Sequence, residues 1–205
     1  MTETEKMLAG KLYDPVDETL VCLRAEARRL CKAYNDCDPM DGDRQEALLR
    51  ALVPALGEDS WINAPVQFDY GRFTTIGKRC FFNYNLTVLD CAPVTIGDDV
   101  FVGPNVSLMS PMHPLLDAER RLYRRADGVW TDREYAKPIT IGDGCWIAAN
   151  VVIAGGVTIG PGTVVGAGSV VTRDLPGGVL AAGNPCRVIR TLGSADSIEN
   201  KQELW

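Results

Sequence analysis

The stretch that decides the fold reads Ile139-Thr140-Ile141-Gly142-Asp143-Gly144-Cys145-Trp146-Ile147-Ala148-Ala149-Asn150-Val151-Val152-Ile153-Ala154-Gly155-Gly156-Val157-Thr158-Ile159-Gly160, and continues through Val165-Gly166 to Val171-Thr172. Ile141, Ile147, Ile153, Ile159, Val165 and Val171 stand six residues apart, each followed by Gly, Ala or Thr. A period of six fits neither the 3.6-residue turn of a helix nor the two-residue alternation of a strand. It suits a solenoid whose flat sides are short strands and whose small residues turn the corners. Three sides make a coil of about eighteen residues. Ile141 then stacks on Ile159, Ile147 on Val165 and Ile153 on Val171, filling a narrow interior with three aliphatic columns. A β-sandwich of short strands would not hold a fixed period.

Working upstream, Ile96, Val102 and Leu108 keep the spacing, and Ile76, Phe82 and Val88 keep it more weakly. The phase slips by two residues between Val88 and Ile96, which predicts an irregular corner there. The period does not set the hand of the coil; the general rule for parallel crossovers favours a right-handed path. Ahead of the repeat, Thr2 and Glu5 have capping-box spacing for a short helix ended by Gly10. A second helix is predicted from about Glu18 to Tyr34, with Leu20, Leu23, Ala27 and Leu30 on one face, and a third from about Arg44 to Leu52. These faces should cover one open end of the solenoid. The reading divides the chain into a helical extension (1–57), a solenoid domain (58–192) and a C-terminal tail (193–205). The repeat stops between Ser110 and Pro138, where a charged excursion holds Asp117, Glu119, Arg120, Arg121, Arg124 and Arg125. A long insertion in a regular solenoid is a place for function.

The 205 residues, 46% of them hydrophobic, suffice for one well-buried domain. A net charge of −6 opposes nucleic-acid binding, so an anionic ligand must find local positive charge. The polar start, Met1 to Lys6, and the absence of a membrane-length apolar run predict a soluble cytoplasmic protein with no membrane partner. Cys22, Cys31, Cys37, Cys80, Cys91, Cys145 and Cys186 are odd in number and form no CxxC pair, as expected of reduced thiols. A zinc cluster would have one histidine to draw on, so no metal is expected.

That histidine is His113, in Ser110-Pro111-Met112-His113-Pro114-Leu115 at the start of the excursion. Imidazole chemistry at neutral pH must run through it, and the flanking prolines fix its backbone.

With these residues in view, the chain resembles the maltose, galactoside and nodulation-factor acetyltransferases of the hexapeptide-repeat superfamily, over about residues 5 to 192. The likeness rests on Met7-Leu8-Ala9-Gly10-Lys11-Leu12-Tyr13, Asn83-Tyr84-Asn85-Leu86-Thr87, His113-Pro114-Leu115, Lys137 through Ile147, Val171-Thr172-Arg173-Asp174 and Ala182 through Arg190, in that order. The resemblance implies a left-handed parallel β-helix and a homotrimer with active sites between subunits. It also implies direct transfer of an acetyl group from acetyl-CoA, a co-substrate, to a sugar hydroxyl, most simply a primary one, with His113 as general base and no acyl-enzyme.

The same resemblance assigns the remaining site residues. Asn83 matches the asparagine that bonds the acceptor near its reacting hydroxyl. Asp69 falls where maltose-type enzymes have aspartate and galactoside enzymes have serine, which tilts the acceptor toward maltose or glucose. Cys91 replaces an acceptor-binding aspartate of the galactoside type. Asp14 or Asp17 supplies an N-terminal acceptor contact, with Asp14 preferred. Acetyl-CoA would be held by Ala149 and Ala167 through their backbones, by Thr172 and Arg173 beside the phosphates, and by Arg187 and Arg190 near the nucleotide. Trp146 would wall the acetyl pocket. A galactoside, lipo-oligosaccharide or antibiotic-like alcohol remains an alternative acceptor. A carbonic anhydrase on the same solenoid needs three histidine ligands, and a silent structural trimer would lack this set of site residues.

Overall fold

The computed structural model describes residues 1–201, and its body is a parallel β-helix with three flat sheets. The first sheet stacks Ala55–Leu56, Thr74–Ile76, Val94–Ile96, Ile139–Ile141 and Thr158–Ile159. The second stacks Trp61–Ile62, Phe81–Phe82, Phe101–Val102, Trp146–Ile147, Val164–Val165 and Val179–Ala182, and is closed by the antiparallel strand Arg187–Thr191. The third stacks Val66–Phe68, Leu86–Leu89, Ser107–Met109, Val152–Ala154 and Val170–Val171.

The expected columns are present: Ile141 pairs with Ile159, Ile147 with Val165 and Ile153 with Val171, all of them buried. The eighteen-residue coil holds for this part of the chain only. In the earlier coils Thr75 pairs with Thr95, Phe81 with Phe101 and Thr87 with Ser107, so each coil is twenty residues long. The two added residues lie at the corner after the third sheet, where the phase slip falls. Asp90 organises that corner. Its buried carboxylate accepts from the backbone N–H of Tyr70 at 2.8 Å, Gly71 at 3.2 Å and Phe73 at 3.2 Å, and from the Thr74 hydroxyl at 3.0 Å. The corner after the second sheet turns on Asn85, Asn105 and Asn150, with φ near 60° in each, a conformation asparagine tolerates better than most residues. Their amides form a ladder: Asn85 donates to Asn105 at 2.9 Å and Asn105 to Asn150 at 3.1 Å.

Three helices precede the coils: α1 (Glu3–Leu8), α2 (Glu18–Asn35) and α3 (Gly42–Leu52). Thr2 and Glu5 form the capping box of α1, and Asp17 caps α2 through the N–H groups of Thr19 and Leu20. Helix α3 starts two residues before the expected Arg44, because Asp41 caps it by accepting from the Arg44 N–H at 3.2 Å. Helices α2 and α3 cover the first coil, where Tyr34 donates to the Ile62 carbonyl and Arg50 to the Leu56 carbonyl at 3.1 Å. No helix among the described residues is long and apolar enough to cross a membrane.

The excursion breaks the register between Phe101 and Trp146, which pair directly although 45 residues apart. Pro111–Met112 leaves the solenoid antiparallel to the returning strand Tyr135–Ala136. Between them lie the one-turn helix Asp117–Arg120 and a hairpin of Tyr123–Arg124 with Trp130–Thr131.

Candidate active site

His113 follows the outgoing strand Pro111–Met112, and Glu134 precedes the returning strand, so the ladder places the two side by side. Asp132 and Glu134 are two residues apart on extended chain and project the same way. Around the half-exposed imidazole, Asp132 Oδ2 is 3.5 Å from Nδ1 and Glu134 Oε1 is 3.9 Å from Nε2. The next residue between them, Arg133, points elsewhere and lies over the Tyr123 ring at 5.5 Å.

The helical extension holds this cluster. Tyr13 is buried, its hydroxyl donates to Glu134 Oε2 at 2.6 Å, and its N–H donates to the Glu134 carbonyl at 3.0 Å. Burial, the neighbouring Cys91 and the Glu134 carboxylate keep this phenol far above its ordinary pKa, so it stays a proton donor. Asp14 binds the loop: the Thr131 hydroxyl donates to Oδ1 at 2.6 Å and Arg125 pairs with Oδ2. Burial pushes the Asp14 pKa up, but the Thr131 and Arg125 hydrogen bonds outweigh it and leave the group below the usual aspartate value. A cavity of about 250 Å³ opens beside Tyr13 and Asp14, lined also by Lys6, Tyr123 and Arg133.

Asp69 lies behind Tyr13, in contact with Cys91 at 3.6 Å. Burial raises the pKa of both, and the Asp69 charge raises that of Cys91 further. Cys91 is therefore an inert thiol. His113, Asp14, Asp69 and the later Thr172 and Arg173 all belong to the corner after the third sheet. Thr172 and Arg173 are exposed there.

The other expected residues lie elsewhere. Asn83 sits at the corner after the second sheet, two residues before the asparagine ladder and outside it. Its Oδ1 accepts from the Tyr84 N–H at 2.8 Å, and its Nδ2 has no partner among the described residues. Ala149 and Ala167 share that corner on later coils, and neither N–H has an acceptor among the described residues. Strand Leu86–Leu89 separates the two corners, roughly 13 Å of extended chain. One chain therefore does not bring Asn83 to His113.

Trp146 stands on the outer side of the second sheet, in register with Phe101 and Val164 and 54% exposed. Of the arginines, Arg187 bonds its neighbour's carbonyl, and Arg190 is gripped by Asp196 at 2.5 and 2.8 Å. Asp17, the alternative to Asp14, is committed to capping α2.

Sequence reasoning missed Tyr13, Asp132 and Glu134 as parts of the site. The spacing Asp132-Arg133-Glu134 was the available signal, since it puts two carboxylates on one side of a strand. His113, Asp132 and Glu134 offer donor atoms within 4.8 Å of one another, a set that could bind a divalent cation by donor type. One Glu134 oxygen is already taken by Tyr13.

A three-sided parallel solenoid built on a six-residue repeat places the chain among the hexapeptide-repeat proteins. Residues 6–57 match the maltose acetyltransferase hexapeptide capping motif, 138–173 match six bacterial transferase hexapeptides, and 93–110 match a hexapeptide repeat of succinyl-transferase. A galactoside O-acetyltransferase of Escherichia coli (strain K12) is 40% identical over 196 residues, which cover 96% of this chain and 92% of that protein. The structure of a galactoside acetyltransferase in complex with coenzyme A superposes with a TM-score of 0.87 at 40% identity, covering 96% of this chain and 94% of that one. That of a maltose O-acetyltransferase from Clostridium difficile 630 gives 0.87 at 38% identity, covering 95% and 99%. The chain belongs to the maltose and galactoside O-acetyltransferase family of hexapeptide-repeat proteins.

Proposed function

We propose that this protein transfers an acetyl group from acetyl-CoA to a primary hydroxyl of a maltose- or glucose-type sugar. The observation that carries the reading is the half-exposed His113, flanked by two carboxylates, in a chain that matches sugar O-acetyltransferases over nearly its full length. His113 takes the hydroxyl proton as the sugar oxygen attacks the thioester carbonyl. The C–O bond forms, the tetrahedral intermediate collapses with cleavage of the C–S bond, and the imidazolium returns its proton to the departing CoA thiolate. Acetyl ester and free CoA are the products, and no covalent enzyme intermediate is needed. The unpaired N–H of Ala149 faces the developing oxyanion. Arg173 and Arg187 hold phosphate oxygens, while Arg190, paired with Asp196, contributes less. Asp69 and Asn83 contact the acceptor, and Asp14 shapes its pocket through the loop it fastens.

Because Asn83 and Ala149 lie on one corner and His113 on another, the working site combines two chains in a homotrimer. The outward ladder of Phe81, Phe101 and Trp146 on the second sheet supplies an apolar face for that contact; the two phenylalanine rings are 6.4 Å apart. All seven cysteines are free thiols, which suits the cytoplasm. The test is a panel of acceptors with acetyl-CoA, followed by release of free CoA. Turnover of maltose or glucose above galactosides supports the reading, and reaction of amines or non-sugar alcohols alone overturns it.

A further inference from the structure

Two carboxylates face one imidazole, and a general base has use for only one of them as a tether. We propose that they divide the work: Asp132 is the positioning residue that fixes His113, and Glu134 binds a second hydroxyl of the acceptor beside the one that reacts. The inference rests on His113 being the base.

The division follows from which nitrogen each carboxylate faces. A neutral imidazole carries its proton on one nitrogen and its lone pair on the other, and an acceptor beside one nitrogen settles the choice. Asp132 Oδ2 lies 3.5 Å from Nδ1, a charge contact rather than a hydrogen bond, and its field favours the proton on Nδ1 and the lone pair on Nε2. Glu134 Oε1 lies 3.9 Å from Nε2, too far for a hydrogen bond to it. Were it to act as the tether, it would draw the proton onto Nε2 and leave the lone pair on Nδ1, facing the Asp132 carboxylate. Its position is nevertheless fixed. The buried Tyr13 hydroxyl saturates Oε2 at 2.6 Å and the Tyr13 N–H holds the backbone at 3.0 Å, so Oε1 is left with free lone pairs beside Nε2. A hydroxyl oxygen at hydrogen-bond distance from Nε2, about 2.8 Å, has Oε1 beside it at a distance that a neighbouring hydroxyl can bridge.

The ligand chemistry is therefore a polyol with two hydroxyls about 3 Å apart. In a hexopyranose the 6-hydroxyl and 4-hydroxyl stand in that relation, so Glu134 reads the position at which glucosyl and galactosyl sugars differ. The other groups packed on the cluster are the Tyr13 phenol and the Cys91 thiol, with Asp69 behind them and the Arg125–Asp14 pair at the far end of the loop.

The test compares Asp132→Asn, Glu134→Gln and Tyr13→Phe in the full-length enzyme, with methyl glucoside and its 4-deoxy analogue as acceptors. Asp132→Asn should cut kcat about tenfold or more and leave both KM values near wild type, because the base is misplaced while both substrates still bind. Asp132→Glu, which keeps the charge, should recover most of that kcat. Glu134→Gln should raise KM for methyl glucoside about tenfold while leaving KM for acetyl-CoA unmoved, and should barely affect the 4-deoxy analogue. Tyr13→Phe should follow Glu134→Gln with a smaller rise.

An unmoved kcat in Asp132→Asn, or equal losses on both acceptors in Glu134→Gln, would overturn the division of labour. Loss of activity on chelation with recovery on added zinc would make the carboxylates metal ligands and overturn it too. An active His113→Ala enzyme would instead remove the base on which the inference rests.

Discussion

The side-chain amide of Asn35 closes the open edge of the first coil onto the strand residue Val66: its Nδ2 donates to the Val66 carbonyl at 2.9 Å and its Oδ1 accepts the Val66 N–H at 2.8 Å. A side-chain amide carries a donor and an acceptor side by side, so it can answer both groups of a strand residue at once. A free strand edge otherwise invites pairing with another chain.

Replacing Asn35 with Ala leaves both Val66 groups without their partners. The expected loss is about 2 to 3 kcal/mol of unfolding free energy, the sum of two modest hydrogen bonds and some unsatisfied backbone. Urea unfolding measures it, and turnover per folded molecule should stay at the wild-type level, because the Asn35 side chain bonds Val66 and none of the site residues. A change below about 0.5 kcal/mol would show that solvent serves Val66 equally well.

What the sequence disclosed follows from what each signal depends on. Ile141, Ile147 and Ile153 point into a narrow interior, so their spacing is copied directly into the letters. The twenty-residue coil was also present, since Ile76 and Ile96 stand twenty apart, as do Phe82 and Val102, but it read as a single slip. Its cause is the Asp90 carboxylate, whose bonds to Tyr70 and Gly71 connect adjacent coils. His113 stood out because it is alone. Its neighbours did not. Tyr13 reaches Glu134 across 121 residues of sequence, and no local pattern encodes that contact. The excursion stood out as a place for function, but nothing local in it pointed to Arg125 fastening the loop to Asp14. The split of site residues between two corners emerges only once the coils are stacked.

The Asp14 anchor should show itself in acid. Its folded pKa lies below the ordinary aspartate value of 3.8, so the stabilisation is fully present above about pH 4 and is lost as pH falls through the lower folded value. Asp14→Asn should be less stable than wild type at neutral pH, and the gap should close as both proteins are taken below pH 4. A gap constant from pH 7 to pH 3 would mean that the Asp14 charge contributes nothing to holding Arg125.

If the site is shared between chains, two inactive variants should repair each other. Asn83→Ala supplies His113, and His113→Ala supplies Asn83. Co-refolding equal amounts should restore about a quarter of the sites, the statistical yield when each contribution comes from a random neighbour in a closed ring. Light scattering should give three times the 22.3 kDa chain mass. No recovery from mixed trimers would place both residues in one subunit's site.

Arg173 is exposed and bonds no acceptor among the described residues, unlike Arg190. Arg173→Ala should raise KM for acetyl-CoA about tenfold with little change in KM for the sugar, and the remaining affinity should depend less on salt. Arg190→Ala should do less, because its guanidinium must first leave Asp196. An acetyl-CoA response identical to wild type in Arg173→Ala would return that residue to the solvated surface.

The general-base role of His113 is tested by removing it. His113→Ala should fold and bind acetyl-CoA normally, since the imidazole is half-exposed and fills no part of the core. Turnover should fall by about two to four orders of magnitude, the range over which a positioned base contributes. Asn83→Ala should slow turnover less than His113→Ala, because it removes an orienting hydrogen bond and leaves the base in place. The outcome that sinks the mechanism is a folded, acetyl-CoA-binding His113→Ala enzyme that acetylates sugar at near the original rate.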